Sequence, residues 1–313
     1  MNQEIENFHE QEYSMLPVDT TDEMLIEMWL DNTAPSTKKA YMADLRQFFE
    51  QMPVSIQQIK LNHLQNYKNH LIESGKEHST INRKLKSIKS LLSFAEKTGY
   101  TRFNVGVMVK LPKEKEELAE RILTEDQTLE MIHLQKQQHN QRNYILLRLI
   151  YATGGRVSEI CNLKWKDVHP RGKTGQVTIY GKGGKTRHII LKPETYKVLI
   201  DYRRHNTDED YIFKSRGGGK PGHARSKLDE SQVYRIVEEA AIRAQIAIYQ
   251  DKNGKTRSRV SPHWMRHAHA THALENGANI ILVKETLGHK SIDTTTKYTH
   301  VHPDKSSAQY LKM

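Results

Sequence analysis

Four short stretches of this 313-residue chain carry side chains that could act together on one substrate. They are ATGGRVSEICNLKW around Arg156, GKGGK with Lys182, HWMRHAHATHALENG with His263 and Arg266, and LGHKSIDTTTKYTH with His289 and Tyr298. Each supplies a group suited to a phosphodiester. An arginine fork binds two phosphate oxygens at once, and a second arginine can hold the other side of a pentavalent transition state. His263 and Arg266 are three residues apart, so both side chains fall on one side of a helical turn and can face one target. Catalysis by two arginines requires no metal. Taken singly, each residue has an ordinary reading: surface ion pairs for Arg156 and Arg266, a solvated turn for Lys182, a packed aromatic for Tyr298.

The elements that must position these groups are mostly helices. TEDQTLEMIHLQKQ and QRNYILLRLIYATG read as two helices, the second apolar enough to be central to a core and ending at the Gly154-Gly155 turn before Arg156. QVTIY and TRHIIL flank GKGGK as the one clear strand pair, which puts Lys182 at a hairpin tip where glycines permit positive φ. The remainder reads as helical, broken by two loops, KSRGGGKPGHARS and YQDKNGKTRSRV.

Upstream, three amphipathic helices are expected. One is capped by Ser36, carries Tyr41, Leu45 and Phe48/Phe49, and stops at Pro53. A second starts near Leu61, aligns Leu64, Tyr67/Lys68 and Leu71, and ends at Gly75. In the third, capped by Ser79, Ile81, Leu85, Ile88, Leu92 and Ala95 share one face, with Arg83, Lys84, Lys86 and Lys89 largely off it. That basic side suits a nucleic-acid contact or, equally, a solvated surface. The stretch KLPKEKEELAERILT is dense in charge and punctuated by proline, as an interdomain linker should be.

In the catalytic half, R-x-S-E-[IL] (Arg156 to Ile160), G-K-G (Gly181 to Gly183), H-x-x-R-H (His263 to His267), A-T-H-x-L-E-x-G (Ala270 to Gly277) and L-G-H with Tyr298 nine residues after His289 occur in one order. In this the chain resembles the tyrosine recombinases of the phage integrase class, with the layout of the Xer-type (XerC/XerD-like) enzymes, from about Asp22 to about Pro303. The resemblance implies a mainly α fold: a disordered acidic tail at 1–21, a SAM-like helical core-binding domain at 22–109, a linker at 110–122, and at 123–313 a mostly helical catalytic domain with a small antiparallel sheet. It implies that Tyr298 attacks the scissile phosphate and forms a 3′-phosphotyrosyl link. Arg156 and Arg266 would stabilise the non-bridging oxygens, and Lys182 would protonate the leaving 5′ oxygen. His263 and His289 would hydrogen-bond the phosphate or the nucleophile, His263 being the better candidate for acid-base work. Glu159 would orient the arginine helix. The implied partner is double-stranded DNA, clamped between the domains and bound as a homo- or hetero-tetramer on two sites, with or without a partner recombinase. The last residues, with Tyr310 and Leu311, would dock onto a neighbouring protomer. No ATP, metal or other cofactor is implied. His269, Ala268 and Lys290 depart from the usual family pattern without removing a catalytic group; Lys290 would add a phosphate contact.

Composition fits this. The net charge is +11, yet no Lys or Arg precedes Lys38 while nine acids do, so the rest of the chain carries +20, which suits a polyanion partner or, on charge alone, a solvated basic surface. The basic loop with Lys252, Lys255, Arg257 and Arg259 is a second candidate backbone contact. A mean hydropathy of −0.74 suits a helix-rich soluble protein, and no apolar run approaches the ~20 residues that span a bilayer. The opening MNQEIENFHE has neither the basic nor the apolar region of a signal peptide, so a cytoplasmic, nucleoid-associated protein is expected. The single Cys161 excludes an internal disulfide and reads as buried filler. His267, His269 and His272 form a tract of the kind that can bind zinc, but no acid or thiol flanks it. The rival readings are an integrase or excisionase of a mobile element with the same chemistry, a catalytically silent DNA-binding protein, and a type IB topoisomerase.

Overall fold

A computed structural model describes residues 15–113, 121–181, 184–215, 226–289, 291–296 and 298. The fold is mainly helical with small antiparallel sheets, as the sequence predicts. The chain divides into two compact units, Met1–Lys115 and Glu116–Met313. Among the described residues no helix is long and apolar enough to cross a membrane.

The first unit contains helices α1 (Asp22–Asp31), α2 (Pro35–Gln51), α3 (Leu61–Glu73) and α4 (His78–Lys97). All five residues expected on the apolar face of α4 are buried, and they meet Leu45, Phe48, Leu64, Tyr67 and Leu71 in one core. Helix α3 ends as predicted, with Gly75 at φ +66 just past its last turn. Two predicted caps are displaced. Pro35 occupies the first position of α2, where its missing N–H costs nothing, so Ala34 rather than Ser36 is the N-cap. Helix α4 starts a turn's fraction earlier than expected, with Glu77 as N-cap and Ser79 inside. Residues 15–21, expected in the acidic tail, are tied down: the Met15 N–H donates to the Thr98 carbonyl, Leu16 packs on the core, and the Thr21 hydroxyl caps α1.

The basic side of α4 is largely engaged within its own unit. Asp44 of α2 is buried, and its carboxylate accepts from the Ser87 hydroxyl at 2.8 Å, from Lys84 at 3.2 Å and from Arg83. Three donors satisfy a carboxylate that burial would otherwise penalise, and they pin α2 to α4. Lys89 donates to the Val109 carbonyl at 3.0 Å. Arg83 keeps half its side chain exposed, and Lys86 is exposed.

In the second unit, α5 (Glu125–Gln137) opens with a capping box from Thr124 and Gln127 and packs on α6 (Gln141–Thr153). Helix α6 is buried nearly all round and forms the centre of the larger core. It is followed by α7 (Val157–Asn162), a sheet of β1 (Val168–Arg171), β2 (Thr174–Tyr180) and β3 (Thr186–Ile190), and α8 (Pro193–Arg203). The order is β1-β2-β3, both pairings antiparallel, with Thr178 opposite His188 and Tyr180 opposite Thr186. Strand β1 was not foreseen: VHPR has three exposed positions and no alternating apolar signal. After α9 (Glu230–Arg243), the segment expected as a loop is a short hairpin of β4 (Ile248–Gln250) and β5 (Thr256–Ser258). Its strands are three residues each, β4 exposed and β5 half-buried, too short to show a period. Helices α10 (Pro262–Glu275), α11 (Ile280–Leu287) and α12 (Asp293–Thr296) complete the unit. Most of the loop KSRGGGKPGHARS lies outside the described residues.

Candidate active site

Helix α6 ends in a left-handed residue, Gly154 at φ +57. A Cβ there would stand 2.6 Å from a Leu287 methyl and 2.8 Å from the His269 ring, so only glycine lets α6, α10 and α11 meet this closely. The turn delivers Arg156 to the N-cap of α7. Glu159, at the third position of that helix, accepts from the Arg156 N–H at 2.8 Å and from its guanidinium at 3.0 Å. The same carboxylate takes both terminal nitrogens of Arg187 on β3, at 3.1 and 2.6 Å, while the Arg187 Nε donates to the Thr286 carbonyl at 2.7 Å. One buried carboxylate therefore joins α7, β3 and the end of α11 behind Arg156. Burial pushes the Glu159 carboxyl up, and the hydrogen bonds from Arg187 and Arg156 outweigh that, holding it below the usual carboxylate range.

Arg266 comes from α10 and is 2% exposed. Its guanidinium donates to the Gly154 carbonyl and, at 2.6 Å, to the Leu287 carbonyl. Among the described residues no carboxylate lies within ion-pair distance of it. Burial, then the Arg156 charge, pulls its pKa down to about 10, so it stays cationic at neutral pH.

Tyr298 is 6% exposed and packs with Ala270, Val283 and Leu287. Its hydroxyl oxygen lies 2.7 Å from His267 Nδ1. Burial raises its pKa, opposed by Arg266. The His263 ring meets the His267 ring edge-on, with centroids 4.2 Å apart. His289 bonds to the Thr295 hydroxyl at 2.9 Å, its ring stacked 6.4 Å from that of Tyr298. Of the three histidines it is His267, passed over in the sequence, that touches the tyrosine hydroxyl. Its motif position was visible in H-x-x-R-H; its direction was not.

Arg156, His263, Arg266, His289 and Tyr298 thus lie near one another, Arg266 acting on both histidines and on Tyr298, and Arg156 on His263, Arg266 and His289. The charge of Arg121, also missed, reaches His263 and His267. Lys182 and Lys290 lie outside the described residues, as do Tyr310 and Leu311. Lys252 and Lys255 are exposed in and beside the β4–β5 turn, Arg257 pairs with Glu238 at 2.6 Å, and Arg259 lies over the Tyr249 ring. The other histidines of the tract have separate tasks. His269 Nδ1 donates to the Tyr151 carbonyl, and His272 bridges the Leu123 carbonyl and the Tyr151 hydroxyl, each contact 2.7–2.9 Å. Cys161 is buried, which pushes its thiol up to about 12 and leaves it unreactive.

The family model described as "Phage integrase family" matches residues 121–305, and that of its N-terminal SAM-like domain matches residues 22–99. The chain belongs to the phage integrase family. Similar relatives include "Tyrosine recombinase XerC" of Halalkalibacterium halodurans, 31% identical over 88% of this chain and 89% of that one. "Tyrosine recombinase XerD" of Staphylococcus epidermidis is 31% identical over 92% of this chain and 93% of its own. Among solved structures, the Tn1549 transposon integrase in complex with circular intermediate DNA shares the fold, with a TM-score of 0.69 at 19% identity over 94% of this chain and 100% of that one.

Two expected outcomes arise from this phage-integrase site. Arg187→Ala would leave the Glu159 carboxylate buried with one partner fewer, a loss of about 3–5 kcal/mol readable in urea unfolding. Glu159→Gln, which keeps the shape, should cost less stability and slow any reaction that needs Arg156 held in place.

The second concerns pH. Burial, followed by neighbouring positive charge, lowers His267 to about 3 and His289 to about 4 from 6.5, and burial is also the first cause of the lowered values of His263 and His269. In the unfolded chain these groups take up protons below about pH 6.5 that the folded chain refuses. Their contribution to stability is complete above that pH and is lost on acidification toward about pH 4. Buried His267 alone should give a slope of about 1.4 kcal/mol per pH unit in that window. Unfolding midpoints at pH 7 and pH 5 check this, and His267→Phe should flatten the difference.

Proposed function

We propose that this chain is a site-specific DNA recombinase that cuts and rejoins strands through a 3′-phosphotyrosyl intermediate, in an Xer-like role. The observation that carries the reading is the proximity of Tyr298 and the histidines to Arg266, a buried cation whose hydrogen-bond partners among the described residues are carbonyls. A full positive charge kept from water without a carboxylate is costly unless an anion completes it, and a phosphodiester does so. In the proposed reaction Tyr298 Oη attacks the scissile phosphorus, Arg156 and Arg266 stabilise the non-bridging oxygens, and Lys182 gives a proton to the departing 5′ oxygen. His263 and His289 face the phosphate. The phosphodiester energy stays in the tyrosyl linkage, so a new 5′ hydroxyl can reverse the step without ATP.

The SAM-like unit, with Lys86 and the outer half of Arg83, contributes to holding the duplex, as do Lys252 and Lys255. Two bound sites would carry a homo- or hetero-tetramer. The test is covalent capture: protein is incubated with fragmented genomic DNA of its source in chelator, denatured, and the attached DNA sequenced. An adduct at one discrete sequence supports the proposal, and the location of that sequence, near the replication terminus or flanking an element, separates chromosome resolution from mobile-element integration. Adducts scattered without preference would mean a topoisomerase. The absence of adducts, on a nicked substrate as well, would reject strand transfer.

A further inference from the structure

Resting on that reading, we propose that His267 is a catalytic residue: it accepts the Tyr298 proton during cleavage and returns it during rejoining. The geometry is direct. His267 Nδ1 lies 2.7 Å from Tyr298 Oη, a hydrogen-bond distance, and both side chains are buried. His263 Nδ1 and Nε2 make no such contact; that ring lies against His267, and His289 is committed to Thr295. His263, Arg266 and His267 are spaced i, i+3, i+4, so α10 sets the phosphate clamp and the proton acceptor side by side.

The protonation state follows from the surroundings. Burial, His263, Arg266, Arg121 and His289 together hold His267 neutral in the free protein. With the ring hydrogen on Nε2, the tautomer this proposal assigns, Nδ1 carries the lone pair and accepts from the phenol. Without DNA the tyrosine keeps its proton, since burial raises its pKa and a charged imidazolium is disfavoured in a cluster of cations. A bound phosphate alters that balance. Its negative charge offsets Arg266 and Arg156, so the same lone pair binds a proton more readily as the substrate arrives, and the nucleophile is activated only in the loaded site.

The step balances. The Tyr298 Oη–H bond breaks and its proton passes to His267 Nδ1 as Oη bonds to phosphorus. The phosphorus–O5′ bond breaks, and the 5′ oxygen takes a proton from the proposed acid, Lys182. In the reverse step the 5′ hydroxyl attacks and gives its proton back to the Lys182 amine, the Oη–phosphorus bond breaks, and His267 Nδ1–H returns its proton to Oη.

The experiment measures single-turnover adduct formation on a nicked duplex carrying the captured site, for wild type, His267→Gln and His267→Phe. Each is also made with 3,5-difluorotyrosine at position 298, whose phenol ionises more easily. General-base catalysis contributes on the order of 100-fold or more. Both variants should therefore fall by about that factor with DNA affinity unchanged, although glutamine retains a hydrogen-bond acceptor. The fluorinated tyrosine should recover most of that loss. A glutamine variant close to wild type would make His267 a positioning residue only, and equal response of wild type and variants to fluorination would likewise overturn the proposal. Wild-type protein that forms no adduct would defeat the recombinase reading itself, a distinct result.

Discussion

Tyr298→Phe is expected to abolish covalent attachment to DNA while leaving the fold and DNA binding in place. The substitution removes one oxygen. The ring that packs on Ala270, Val283 and Leu287 is kept, so the small cluster between α10, α11 and the tyrosine stays filled. What is lost is the contact to His267 Nδ1, which leaves one buried acceptor unpaired at a cost of about 1–3 kcal/mol. Thermal unfolding should register a modest drop, and a gel shift on the captured site should be close to wild type. The adduct should vanish entirely, because the attacking oxygen itself is removed. An adduct that persists would move the nucleophile to another residue and remove the basis for both His267 and Tyr298 in the reaction.

The parts of this site legible in the sequence are those encoded locally. Arg156 is announced by a glycine turn and the R-x-S-E spacing, and Arg266 with His263 by their spacing on one helix; periodicity placed all five apolar residues of α4 in the core. The parts that were not legible depend on which way a side chain turns between distant segments. Arg187 is, in the sequence, one position of the strand TRHIIL, yet it crosses to Glu159, 28 residues away, and to Thr286, 99 residues away. Arg83 and Lys84 read as a free basic face, yet Asp44, about 40 residues back, draws both inward. The sequence places His267 beside Arg266, but nothing in the spacing says that its Nδ1 meets a tyrosine 31 residues on. The displaced caps have a local cause: Pro35 at the first position of α2 overrides the preference for serine as N-cap.

Arg266→Lys should slow adduct formation by about 10²–10³-fold, in the range seen when one preorganised donor to a transition state is removed. Lysine preserves the charge, so the loss isolates the fork. In this structure the two ends of the guanidinium reach the Gly154 carbonyl and the Leu287 carbonyl. It ties the end of α6 to the end of α11, the segments that lead into Arg156 and His289. One ammonium cannot span both carbonyls and also meet a phosphate oxygen. Arg266→Ala should in addition destabilise the second unit by several kcal/mol, because a fully buried side chain is deleted and two buried carbonyls lose their donors. Comparison of the two variants separates the contributions. If Arg266→Lys unfolds near the wild-type temperature yet loses its rate, the guanidinium acts on the transition state. If rate and stability fall together in both variants and recover together when the fold is stabilised by lower temperature, Arg266 acts only as a strut between α6 and α11, and the phosphate would have to be held by Arg156 alone.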